Sequence, residues 1–229
     1  MAARARPPAK SALDPLALLR ASKEPDFRQE RSRRSYLALI DAATALFSRQ
    51  PYDAVGTPEI AERAGVSVGT FYRYFEDKHE VYLEVIRRSM LAAYEATLAG
   101  LTPARFVGLA RHETISHAVT ILFGHVLEHP YLSRSLLEMS LRDPDVAALD
   151  HAFQQMTIAR LTELISAMIP SHVVPDPEAT AWVLYGAAMH CAHGLADKLA
   201  PRHIGADRAK KALTAFIERT LFPDASPTR

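Results

Sequence analysis

Between Glu30 and Arg49 the apolar residues Tyr36, Leu39, Ile40, Ala43, Leu46 and Phe47 recur at the i, i+3, i+4, i+7 spacing of a helix with one buried face. The next pattern is shorter. Glu59 to Ala64 forms a brief helix, with Thr57 or Gly56 as its cap and Pro58 in the first turn, where a missing N–H costs nothing. Gly65 ends it, since the residue past a helix end often turns left-handed and glycine does so without a clash. Val66 fills the corner and Ser67 caps a further helix from Val68 to about Phe75, whose Phe71 and Phe75, at i and i+4, face Ile60 and the first helix. Asp77-Lys78-His79-Glu80 has the form of a capping box and opens a helix that runs to about Thr97.

Beyond Gly100 to Pro103 the chain is almost entirely helical in pattern. Helices are predicted from Pro103 or Thr114 to His129, with a break near Gly108, from Pro130 to Met139, and from Pro144 to just before Pro170. Two more run from Pro177 to about Leu199 and from Ala206 to Leu221. No strand pattern with turn spacing and no internal repeat occurs, so the expected class is all-α. Three units follow: a disordered basic arm over 1–29, a three-helix unit over 30–76, and a helical bundle over 77–229.

Two short helices joined by a tight turn containing glycine are the mark of a helix-turn-helix, whose second helix enters the DNA major groove. Ser67, Thr70, Tyr72, Arg73 and Tyr74 give that second helix far more hydrogen-bonding side chains than a buried helix would carry. They are also phosphate and base-edge ligands by type. The competing reading is a surface hairpin with an aromatic anchor. The stretches IDAATALF and EIAERAGVSVGTFYRYFEDKHEVYLEVI, within Ile40 to Ile86, resemble the DNA-binding domain of the TetR family of bacterial repressors over about a fifth of the chain. Pro51 stands where that family usually has glycine, so the first helix needs a different end. Gly56 stands where the family usually has Ser or Thr, with Glu59 able to reach back to its N–H.

The resemblance implies an N-terminal reader of a palindromic double-stranded DNA operator, a helical ligand-binding and dimerisation domain, and a homodimer. It also implies that the helix from Asp77 acts as the lever between ligand and DNA. On the matching positions, Tyr72, Tyr74 and Lys78 are expected at phosphates. Val68, Thr70 and Arg73 are expected at base edges, Val68 suiting a thymine methyl. Thr57, Ser67 and Gly69 belong to the same face.

Charge sharpens this picture. Residues 1–34 hold nine basic and four acidic residues, a surplus of five, which against an overall net charge of +1 leaves the rest at −4. Such asymmetry holds DNA at one end of a molecule. Arg31, Arg33 and Arg34, directly before the first helix, are the expected arm contacts. Apolar content of 48% and charged content of 23% are those of a globular domain, and no apolar run reaches the length of a membrane span. Asp14 and Pro15 interrupt the one apolar stretch near the N-terminus, which argues against a signal peptide. Cys191 is the only cysteine and agrees with a reducing, cytoplasmic setting.

Enzyme readings fare poorly. In Arg111-His112-Glu113-Thr114-Ile115-Ser116-His117 one residue too many separates the histidines, leaving them roughly 140° apart on a helix, and no nucleophile elbow or phosphate loop occurs. No cofactor is implied. His125 with His129, and His190 with His193, have better spacing and form the metal-sensing alternative; their other reading is as polar groups edging a bundle.

The expected effector is a small, mostly apolar molecule, with Phe123, His125, Met139, Phe153, Met156, Trp182, Tyr185 and Met189 as the candidate lining, though most such residues in a bundle are core. Trp182, Val183, Tyr185, Met189, Leu195, Leu213, Phe216, Ile217 and Leu221 supply the apolar face of the last two helices. That face is read as the homodimer surface, or else as closure of the monomer core.

Overall fold

The computed structural model describes residues 15–20, 25, 29–107, 110–196 and 204–223. Every regular element among them is helical: α1 (Pro15–Arg20), α2 (Glu30–Phe47), α3 (Thr57–Arg63), α4 (Val68–Tyr74), α5 (Lys78–Tyr94), α6 (Ala110–Glu128), α7 (Pro130–Ser140), α8 (Pro144–Met168), α9 (Pro177–Ala196) and α10 (Ala206–Leu221). A short 3-10 turn at Tyr52–Ala54 separates α2 from α3. A π-helical segment, Glu95–Ala99, continues α5, and a second 3-10 turn spans Pro103–Phe106.

Proline and caps place most of these boundaries. α7 and α8 begin at Pro130 and Pro144, and the Asp143 carboxylate accepts from the Asp145 and Val146 amides at 3.0 Å each. At α5 the Asp77 carboxylate takes the Glu80 amide at 2.9 Å, while Glu80 reaches back to the Glu76 amide at 2.7 Å. With Pro51 in place of the expected glycine, α2 ends instead on Ser48, whose hydroxyl donates to the Thr44 carbonyl. Glu59 does not reach back to Gly56; it accepts from Gln50 Nε2 at 2.9 Å.

α2, α3 and α4 pack around the amino end of α5. The same core continues without a break into the bundle: Phe47, Ile60, Phe71 and Val81 belong to one buried cluster with Leu132, Val146 and Met156. A second cluster lies among α6, α9 and α10, and a third joins α8, α9 and the end of α10. No helix among the described residues is long and apolar enough to cross a membrane.

The expected disordered arm over 1–29 is corrected in one part. Pro15–Arg20 is a helix laid across α5 and α8, and Leu19 is fully buried there. The cause is a buried polar knot. Arg87 of α5 binds the Glu84 carboxylate through two nitrogens, at 2.6 and 2.8 Å, and gives a third hydrogen to the Leu19 carbonyl at 2.7 Å. Arg88 adds a further bond to Glu84. The rest of the arm lies outside the described residues, apart from Pro25 and Gln29.

Burial alone would raise the Glu84 pKa, but the hydrogen bonds and charges of Arg87 and Arg88 outweigh it and hold the carboxyl below its ordinary value. A depressed folded-state value means that the knot stabilises above the unfolded-state pKa, and that its contribution is lost as pH falls through the folded one. Unfolding free energy from urea titrations should therefore decline as pH drops below 4.5. Glu84→Gln should flatten that decline while lowering stability at pH 7.

Candidate nucleic-acid interface and effector cavity

Gly65 makes the turn between α3 and α4. Its φ of +68° is the single positive value among the described residues. The chain then reverses in two residues, and Ser67 caps α4 by accepting the Thr70 amide at 3.1 Å. A side-chain bond of 2.9 Å between the Ser67 and Thr70 hydroxyls tightens the same cap. The inward face of α4 is Phe71, with Phe75 just past its end. Phe71 meets Phe75 at 5.7 Å between ring centres, and Phe75 stacks on Tyr36 of α2 at 5.3 Å.

The other face is open. Ser67, Val68, Gly69, Tyr72 and Arg73 are exposed, and Thr70 is half-buried. The Tyr72 hydroxyl lies 3.1 Å from the Thr57 hydroxyl at the start of α3, so the two helices present one joined polar edge. Arg33 and Arg34 are exposed on the first turn of α2. Two expected contact residues also bond within the chain. Tyr74 gives its hydroxyl hydrogen to the Ser32 carbonyl at 3.0 Å and packs edge-on against Tyr36. Lys78 donates to the Tyr52 carbonyl at 2.9 Å and sits over the Tyr52 ring. Both were drawn to polar groups of α2 and the turn after it, which sequence spacing does not reveal.

In the bundle, the expected effector residues divide. Phe153, Tyr185 and Met189 line a cavity of about 150 Å³ bounded by α6, α8, α9, α10 and the end of α5. Phe123, His125, Met139, Met156 and Trp182 do not line it. Phe123 fills the second core cluster, and Met139 and Met156 belong to the first, which extends farther into the bundle than the sequence suggests. Trp182 is 64% exposed on the outer side of α9. His125 shares a hydrogen bond of 3.0 Å with the Ser89 hydroxyl of α5; burial, and then the neighbouring His129, push its pKa down.

Sequence reasoning missed Thr157, Leu161 and Ile165 on α8, and Ala93, Thr97 and Leu98 at the end of α5. The signal available was Thr157 itself, a hydroxyl placed on the apolar stripe of Phe153, Leu161 and Leu164. A larger groove of about 840 Å³ has Tyr131, His190, His193 and Ala196 among its described lining residues.

The metal alternative is corrected by position. Among the described residues the four histidines bring no three ligand atoms together. His79, Asp143 and Asp145 do, but there the Asp143 carboxylate is already engaged as the cap of α8. The His79 Nε2 lies 2.8 Å from that carboxylate. His112 of the imperfect zinc-like motif lies against Glu218, with 3.0 Å between Nδ1 and Oε2.

This arrangement is a helix-turn-helix: a capped, aromatic-anchored second helix with its polar face open, on a helical body. Residues 39–85 match the family model described as bacterial regulatory proteins, tetR family. Over those residues the chain is similar to that family's DNA-binding segment. It is 36% identical over 84 residues to the HTH-type transcriptional repressor KstR of Mycolicibacterium smegmatis, covering 35% of this chain and 41% of that protein. To the HTH-type transcriptional regulator TcmR of Streptomyces glaucescens it is 28% identical over 201 residues, covering 86% and 77%. The matched stretch thus spans less than half the length of KstR. Among solved structures, a TetR-family regulator from Mesorhizobium loti superposes with a TM-score of 0.64 at 23% identity, covering 84% of this chain and 98% of that one. A transcriptional regulator from Rhodococcus gives a TM-score of 0.63 at 20% identity, covering 86% and 99%. The fold is therefore shared along both units.

A side chain added at Gly65 would meet no atom within 4 Å, so its substitution tests the backbone alone. Gly65→Ala should cost about 1–2 kcal/mol, the penalty of a left-handed non-glycine residue, read as a lowered urea midpoint at unchanged slope.

Proposed function

We propose that this chain is a ligand-responsive transcriptional repressor of the bacterial cytoplasm, binding a palindromic DNA operator as a homodimer and released by a small, mostly apolar effector. The observation that carries this reading is the division of α4, with Phe71 fully buried on one side and Val68, Gly69, Tyr72 and Arg73 exposed on the other. Val68, Thr70 and Arg73 read base edges. Tyr72, with Thr57 beside it, holds a phosphate, while Arg33 and Arg34 approach the neighbouring backbone or minor groove. Tyr74 and Lys78 serve this interface chiefly by fixing α4 and α5 to α2 and the turn after it.

Two readers one or more DNA turns apart require two-fold symmetry. The surface for it is the outer side of α9 and α10, where Trp182, Val183 and Phe216 are exposed while Leu195, Leu213 and Leu221 close the chain's own core. The effector occupies the cavity that ends on Ala93, Thr97 and Leu98. α5 spans 17 residues, about 25 Å at 1.5 Å per residue, and its other end carries Val81 and Tyr82 into the reader core. A ligand that fits one placement of α5 better than another changes the separation of the readers, and only such a difference in affinity can do so.

In a gel-shift assay against DNA upstream of its own coding sequence, Tyr72→Ala should remain folded and dimeric yet bind about tenfold more weakly, the loss of one or two phosphate contacts. Unchanged affinity would refute the placement of α4 in the groove. Trp182→Glu should shift the sedimentation coefficient to that of a monomer and abolish the shifted band; a variant that stays dimeric would move the interface elsewhere.

A further inference from the structure

The cavity wall is apolar nearly throughout, and none of its described lining residues is Lys, Arg, His, Asp or Glu. An ionised group brought there would lose its hydration with no charge to meet it, which is prohibitive beside the gain from apolar contact. Arg160, which adjoins the wall, donates to the Leu101 carbonyl and pairs with Glu163 at 3.1 Å, while its Nε is buried without a hydrogen-bond partner.

Four of the lining residues carry a hydroxyl: Thr97, Thr114, Thr157 and Tyr185. Thr97 donates to the Ala93 carbonyl at 2.6 Å and Thr114 to the Ala110 carbonyl at 2.6 Å, the ordinary bond of a helical threonine to the carbonyl four residues back. Thr44, Thr162, Thr180 and Thr220 do the same. Thr157 does not. Its residue is 5% exposed, and its hydroxyl is buried without a hydrogen-bond partner. A buried hydroxyl in this state destabilises the empty protein, and Thr157 is one of the residues that line the cavity. Tyr185 stays a neutral phenol, because burial, with Asp150 adding to it, pushes its pKa well up.

We infer that the effector is an uncharged, mainly apolar molecule of about single-ring size with one hydrogen-bonding group, and that Thr157 is the residue that recognises that group. The size follows from the cavity of about 150 Å³, since an apolar cavity of that volume holds benzene. The inference rests on the effector site proposed above, but ligand binding can be measured without DNA.

The test titrates the full chain at pH 7.5 by calorimetry with four molecules on one skeleton: 4-ethylphenol, ethylbenzene, 4-ethylbenzoate and 4-ethylbenzylamine. The phenol should bind one site per chain, and the benzoate and the ammonium should bind at least about a hundredfold more weakly. Thr157→Val keeps the side-chain shape. It should weaken 4-ethylphenol about fivefold to tenfold, the worth of one neutral hydrogen bond, leave ethylbenzene unchanged, and raise the melting temperature of the free protein by removing the unpaired hydroxyl. Binding of an ion as tight as the phenol, binding by no member of the series, or an unchanged preference of the variant for phenol over ethylbenzene would overturn the inference. A gel-shift with saturating 4-ethylphenol separates the two readings: binding as described, with the operator still held, sinks the effector role of the cavity and leaves its ligand class standing.

Discussion

A helix of seven residues does not persist alone in water, where even good helix-forming sequences need about twelve to fifteen. α4 exists because its inward ring, Phe71, and Phe75 just beyond its end are driven into the hollow between α2 and α5, with Tyr36 stacked behind. The remaining devices position what this burial stabilises. Gly65 supplies the one left-handed residue that a two-residue reversal requires, and Ser67 satisfies an amide that would otherwise be open. An exposed polar face on so short a helix is thus possible only because the opposite face is wholly aromatic.

The same logic extends along α5. Its first turns share the aromatic cluster of Phe47, Tyr52 and Tyr82, with ring centres 4.8 to 5.8 Å apart. Its middle carries the Glu84–Arg87–Arg88 knot, and its end unwinds into the π-helical Glu95–Ala99 segment at the cavity wall. A π turn is a local departure from the most favourable winding, and such turns are frequent at functional sites. One helix therefore passes through three environments: aromatic, ionic and apolar.

Much of this was legible in the residues. Pro130, Pro144 and Pro177 each open a helix where proline is tolerated, and Asp77, Ser67 and Gly65 occupy the positions their chemistry suits. What periodicity cannot reveal is which apolar residues face a void. Met139 and Met156 have the same local pattern as Met189, and only the packing of neighbouring helices separates core from lining. Trp182 shows the limit from the other side, since an apolar residue in helical register can face outward as well as in. α1 was missed because six residues carry too little pattern, and the bond that holds it comes from Arg87, 68 residues away. The partners of Tyr74 and Lys78 escape the sequence for a related reason: they are backbone carbonyls, which leave no mark in it.

The continuity of the first core cluster bears on modularity. Drawn on the sequence, a border at Glu76 separates reader from body, yet Phe71 and Val81 share their interior with Leu132, Val146 and Met156. A chimera spliced at that border, joining this reader to a foreign body, would inherit half of a common interior and leave the matching half behind. The natural unit of exchange is larger than the family motif: it takes in α5, α7 and the first half of α8, so that specificity for DNA and the shape of the body must change together.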